Sequence, residues 1–209
     1  NKSGNDTFQR FFEKQDGNRT YECHNGGSGG DDIRFAHGFS TTEGRWEVDN
    51  ILTNGAENSI GVTYDNGAVG NDPVIYHNGF SQTINEIQTP VGTALADADN
   101  IRIGNRRSGS RGFAGNLAEF AIWHRLLTAD EMSALHAGFT PLHFPDQLVC
   151  YVPMIRDLVD FFNAAPTESG TVIVVHPRII EPSDDFISYI ATVVGGISIP
   201  IVYHHRQRN

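Results

Sequence analysis

The chain has 209 residues and carries 15 Lys and Arg against 25 Asp and Glu, a formal net charge of −10 with histidine neutral. That sign disfavours nucleic acid or an anionic membrane as a partner, since both repel an acidic surface. The length suits one sandwich-sized domain plus an appendage, and 22 glycines and 9 prolines make turn chemistry dominant. Neither an initiator methionine nor a charged-then-apolar leader opens the chain, so it is expected to be processed or a fragment. In chain order, Phe8–Lys14 and Arg19–Cys23 read as strands about the Asp16-Gly17-Asn18 turn. Ile33–Thr41 and Arg45–Leu52 form a second hairpin about Thr42-Glu43-Gly44. Asn58–Asp65, Pro73–Asn78 and Phe80–Ile87 follow, the last two joined by Asn78-Gly79, a pair that supplies the positive φ angles of a type I′ turn.

The best-specified stretch runs from Asn100 to Gly138. Ile101 and Ile103 alternate with polar neighbours and stop at Gly104, and a polar loop follows. Leu117–His124 alternates Ala118, Phe120 and Ile122 with Glu119, Ala121 and Trp123. Thr128-x-x-Glu131 has capping-box spacing, Leu127 and Met132 are placed as a hydrophobic staple, and Gly138 can close the helix, which predicts one helix over 129–137.

Ile103-Gly104-Asn105-Arg106, then Phe113-x-Gly-x-Leu-x-Glu-Phe-x-Ile-Trp123, then Arg125-Leu-Leu-Thr-x-x-Glu-Met132 resembles the last third of laminin-G-like domains of the concanavalin A-like lectin/glucanase superfamily. Ile60-Gly-Val-Thr-Tyr-Asp65 and Val74-Ile-Tyr-His-Asn-Gly79 resemble two upstream strands of that family, and the three blocks occur in family order over roughly residues 8–140. The resemblance implies an all-β antiparallel sandwich of jelly-roll type over 1–140; beyond it the residues read as a strand and connector over 141–169 and an apolar C-terminal arm over 170–209. The fold hosts lectins, glycosidases and structural modules alike, so it does not fix the activity. The family's usual extra strand ahead of the first hairpin is not found, which leaves one sheet with an expected open edge.

Leu148–Val152 is one more strand, placed to return across the sandwich. The arm offers Val172, Val174, Phe186, Ile190, Val194, Ile197, Ile199 and Ile201 as assembly residues, and Phe186–Tyr203 contains no charge. Eighteen uncharged residues reach the lower bound for a membrane helix, but Gly195-Gly196, Pro200 and many β-branched residues favour two strands. Tails of this look resemble those on laminin-G-like proteins of tailed phages and aquatic metagenomes.

Glycosidases on this fold use paired carboxylates in a Glu-x-Asp-x-x-Glu pattern, which is not found, and Glu119 reads as a solitary solvent-facing residue. No catalytic residue is expected. The resemblance implies that any cofactor is calcium, held by loop oxygens at Asp97 and Asp99 or at Asp31 and Asp32. His176 with His204-His205 does not make a zinc site, since neighbouring strand residues face opposite ways. Cys23 and Cys150 can be one disulfide or two buried thiols, and Asn1, Asn5 and Asn18 head glycosylation triplets. Trp46, Tyr76 and Trp123 are the rings available for sugar stacking, although sandwich cores also claim aromatics. The expectation is a non-catalytic structural protein of a virion or extracellular filament, assembling through its arm with itself or other structural subunits. The alternative is a secreted or surface glycan-binding module using calcium.

Overall fold

The computed structural model describes residues 8–154 apart from 17, 28, 97 and 99, together with 191–194 and 197–200. Its strands in chain order are β1 (Arg10–Asp16), β2 (Asn18–Gly26), β3 (Asp32–His37), β4 (Gly44–Val48), β5 (Ile60–Thr63), β6 (Val74–His77), β7 (Phe80–Ser81), β8 (Asn85–Gln88), β9 (Ile101–Ile103), β10 (Phe120–Trp123), β11 (Leu148–Val152), β12 (Ala191–Val194) and β13 (Ile197–Pro200). Among the described residues one α-helix, α1 (Ala129–His136), is present and follows β10. Six strands make one sheet in the order β8-β4-β3-β2-β1-β9, and β5-β6-β7 make a second. β10 pairs with β11.

Period-two alternation decides what each strand buries. Phe11, Cys23, Ile33, Phe35, Trp46 and Val48 of the six-stranded sheet pack against Ile75 of β6, with Ile60, Val62 and Tyr64 closing the same cluster. Their alternates, including Arg10, Glu22, Arg34 and Glu47, therefore share the other face of that sheet. β6 is covered on both sides, because Tyr76 joins Leu127, Met132, Trp123 and Leu135 in a second cluster beneath α1.

The helix forms as its sequence dictates. Thr128 Oγ1 accepts from the Glu131 amide at 3.2 Å, and Glu131 Oε2 accepts from the Thr128 amide at 2.8 Å. Leu127 and Met132 are buried beside each other, and Gly138 takes φ +98°, a conformation that costs a side-chain-free residue nothing. Arg125 donates twice to Glu131, at 2.8 and 2.7 Å, and this is the main cause that holds the Glu131 carboxyl down at about 2. Thr128→Ala is expected to cost about 1 kcal/mol, read as a lower urea midpoint at unchanged slope.

Several expectations are corrected. The segment Phe80–Ile87 is two strands in different sheets, with Gln82–Ile84 crossing from the β6 layer to the β4 edge. The strand expected over 117–124 shortens to Phe120–Trp123 because Glu119 adopts φ +56°, outside extended geometry. The opening hairpin is flanked by β9, which pairs along β1 with Phe12 opposite Ile103. Leu148–Val152 is a strand as expected and lies against β10. Ala191–Val194 pairs antiparallel with Ile197–Pro200, which agrees with two strands rather than one helix. Among the described residues no helix is long and apolar enough to cross a membrane. Cys23 and Cys150 form no disulfide with each other, and burial with the neighbouring Glu22 charge pushes Cys23 up to about 12, so it serves as a core residue.

Candidate functional site

The β3–β4 register sets Ile33 opposite Val48 and Arg34 opposite Glu47. Continuing that ladder one step brings Asp32 toward Asp49, and alternation puts Glu47 and Asp49 on one face. The result is a convergence of three carboxylates: ligating oxygens of Asp32, Glu47 and Asp49 lie within 4.8 Å of one another. Asp32 Oδ1 also accepts from the Asn50 amide at 2.9 Å, and Asn85 donates to Asp49 Oδ2 at 2.8 Å, so the group is braced from β8. Arg34 pairs with Glu47 as the counter-charge.

Glu47 and Asp32 are buried while Asp49 is exposed. Burial drives the Glu47 carboxyl above its ordinary value, a hydrogen bond with Asp49 and the Asp32 charge push the same way, and Arg34 opposes them. Three carboxylates against one guanidinium leave an excess of negative charge that a proton or a cation relieves. The donors are hard oxygens, which fit calcium, and the further oxygens such an ion needs would come from carbonyls or water.

The same face carries a buried ion network. Arg10 reaches Glu13 at 3.0 Å and Glu22 at 2.8 Å, Arg19 reaches Glu22 at 3.1 Å, and His24 lies 3.3 Å from Glu22. Glu13 and Glu22 are 0% and 2% exposed, so these charges are satisfied by each other rather than by water.

Residues 2–133 match a family described as the concanavalin A-like lectin/glucanases superfamily. The chain belongs to that superfamily. No curated protein and no solved structure matches it.

For a lectin/glucanase-type domain the placement of the expected site residues is informative. Of the four acids expected to hold calcium, Asp32 enters the carboxylate group. Asp31 is half-buried and stands outside the group, its carbonyl accepting from the amides of Ile51 and Leu52 at 2.9 and 2.7 Å. Asp97 and Asp99 lie outside the described residues, as do Val172, Val174, Phe186, Ile190 and Ile201, while Val194, Ile197 and Ile199 lie on the backbone of β12 and β13.

The three rings expected to stack on sugars are placed differently. Trp46 is fully buried and Tyr76 nearly so, which makes both core residues and removes them as platforms. Trp123 is half-buried against the cluster under α1, with its indole N–H donating to the Phe144 carbonyl at 2.7 Å. Glu119 is not solvent-facing but accepts from the Tyr151 hydroxyl at 2.6 Å.

Glu47 and Asp49 were not singled out by sequence reading, yet the signal was present. Glu47-Val48-Asp49 is the first half of the glucanase pattern Glu-x-Asp-x-x-Glu, and the third carboxylate position is Leu52, which is buried in the core. A pattern search that demands all three acids passes over the two that the fold brings together with Asp32.

Proposed function

We propose that this domain is a non-catalytic recognition module, working outside the cell, that holds a glycan at the outer face of its six-stranded sheet with a calcium ion at Asp32, Glu47 and Asp49. The convergence of these three carboxylates carries the reading. Buried Leu52 in place of the third acid of the glucanase pattern supports binding over hydrolysis. A cation would occupy the position that the raised Glu47 value marks as proton-attracting.

The expected result is a calcium-dependent rise in melting temperature that disappears in Asp49→Asn, with glycan-array signals erased by chelator. Because the Glu47 carboxyl titrates above its ordinary value, the protonated form competes for the site as pH falls, so calcium affinity is expected to weaken on acidification and binding to release a proton. Calorimetry in two buffers of different ionisation heat measures that release. An unchanged melting curve at about 10 mM calcium, above the range of weak extracellular sites, would refute the site.

A second reading rests on β12 and β13. Among the described residues β12 and β13 pair only with each other, and a two-stranded hairpin is marginal in water, so the apolar sequence of this hairpin favours cover by another subunit, as in a structural protein of a virion or filament. Full-length protein should then form oligomers, and deletion of 177–209 should leave a monomer.

A further inference from the structure

β12 and β13 form a hairpin with Ala191 opposite Pro200, Thr192 opposite Ile199, Val193 opposite Ser198 and Val194 opposite Ile197. Only two residues separate Val194 from Ile197, the length of a tight hairpin loop, in which the closing pair exchanges hydrogen bonds. Bonded and non-bonded pairs then alternate along an antiparallel ladder. The backbone groups of Thr192, Val194, Ile197 and Ile199 are therefore used inside the hairpin, whereas those of Ala191 and Val193 point out of the β12 side and those of Ser198 and Pro200 out of the β13 side. Pro200 fits this phase, because a residue without an N–H loses no ladder bond at a non-bonded pair.

The two edges of the hairpin are thus unlike. The β13 edge is interrupted by Pro200, while the β12 edge offers unbroken donors and acceptors at Ala191 and Val193. Among the described residues no third strand lies beside the hairpin. The ends of the six-stranded sheet are poor partners for it, since β8 breaks register opposite Arg45 and Trp46 and bears exposed Glu86, and β9 has only three residues. A second copy of the hairpin is a better one. The sequence from Phe186 to Tyr203 is uncharged, so two copies bring no like charges to the contact itself. The Asp184-Asp185 pair just ahead of β12 sets the direction, because an antiparallel approach sends the two acidic pairs to opposite ends and a parallel one would place them side by side.

We propose that β12 is a self-association edge, which pairs antiparallel with β12 of a second copy about a twofold axis at Thr192 and gives a four-stranded sheet in the order β13-β12-β12-β13. Ala191 of each copy then stands opposite Val193 of the other, and this register uses all the outward backbone groups of the β12 edge. Four strands exceed the two that leave a hairpin marginal, and one face of the joined sheet collects Thr192, Val194, Ile197 and Ile199 from both copies. With Pro200 closing each outer edge, the contact ends at a dimer instead of running on as a fibre. The proposal rests on the subunit reading above for the arm being an assembly element, and goes beyond it by naming the partner, the edge and the stoichiometry.

Val193 and Ser198 stand opposite each other at one level of the hairpin, so they probe its two edges without touching the inner ladder. In the full chain, hydrogen exchange at the Val193 amide should be at least about tenfold slower above the dimerisation concentration than below it, while exchange at Ser198 should not respond to concentration. Val193→Pro should weaken dimerisation at least about tenfold by sedimentation, and Ser198→Pro should leave it intact. Pro200→Val, which restores an N–H to the outer edge, should carry the dimer on into larger assemblies. Equal exchange at the two amides, dimerisation unmoved by Val193→Pro or lost equally in Ser198→Pro, or Pro200→Val chains that stay dimeric would overturn the proposal. An oligomer that survives Val193→Pro yet is lost on deletion of 177–209 keeps the subunit reading and removes the β12 contact, whereas a monomeric full-length chain overturns both.

Discussion

Trp46→Ala is expected to destabilise the domain by about 3–5 kcal/mol, a large part of the stability of an ordinary domain. The indole is fully buried, with Phe35 at 6.2 Å and Tyr64 at 5.3 Å between ring centroids, so its removal opens a void between the two layers. Its N–H donates to Asp72 Oδ1 at 2.7 Å, which ties β4 to the approach to β6. Trp46→Phe retains most of the volume and loses that bond, and should cost about 1–2 kcal/mol. Urea unfolding at constant slope distinguishes the two. A loss below about 1 kcal/mol for alanine would mean that the layers do not meet on this residue.

The second large effect is at Glu22. Burial pushes its carboxyl up, but the hydrogen bond from His24 and the charges of Arg19, His24 and Arg10 together outweigh it and bring the group down to about 2 from an ordinary 4.5. The depressed value means that the folded state holds this proton less tightly than the unfolded chain. Its stabilisation is thus fully present above about pH 4.5 and is lost as pH falls through about 2, to an extent of about 3 kcal/mol. Glu22→Gln should flatten that acid limb. At neutral pH the same change removes the carboxylate that Arg10 and Arg19 share, leaving Arg10 with Glu13 and Arg19 with Glu43, and should cost up to about 3 kcal/mol. Unfolding free energies between pH 5 and pH 2 for both proteins provide the check, and parallel acid limbs would remove Glu22 as their origin.

The strands were legible because alternation survives wherever one face is core, as at Ile33, Phe35, Trp46 and Val48. The helix was legible to the residue at its start because Thr128, Glu131, Leu127 and Met132 interact locally. What failed did so for tertiary reasons. Nothing in Phe80–Ile87 announces a change of sheet, since the switch depends on β4 offering an edge to β8. Glu119 reads as an exposed alternate until its φ angle and Tyr151 are seen. The carboxylate group spans β3 and β4, so only the register of Arg34 against Glu47 reveals it. The buried face of Arg10, Glu13 and Glu22 looks like ordinary surface polarity in sequence, because each charge is hidden by a partner that lies on the same or a neighbouring strand.

The pairing of β9 with β1 has a consequence for how the domain comes together. The β1–β2–β3–β4 succession closes through short turns, whereas β9 must find β1 across almost the whole intervening chain and in a register of only three residue pairs. Contacts of such sequence separation carry the greatest chain-closure entropy and form late. Partial opening should therefore begin at that seam. The loop over 104–112, which follows β9 and is tethered to β1 by the Arg107 amide on Glu13 and by the Arg10 amide on the Arg111 carbonyl, is then assembled last and surrendered first, while the carboxylate group within the β3–β4 hairpin outlasts it.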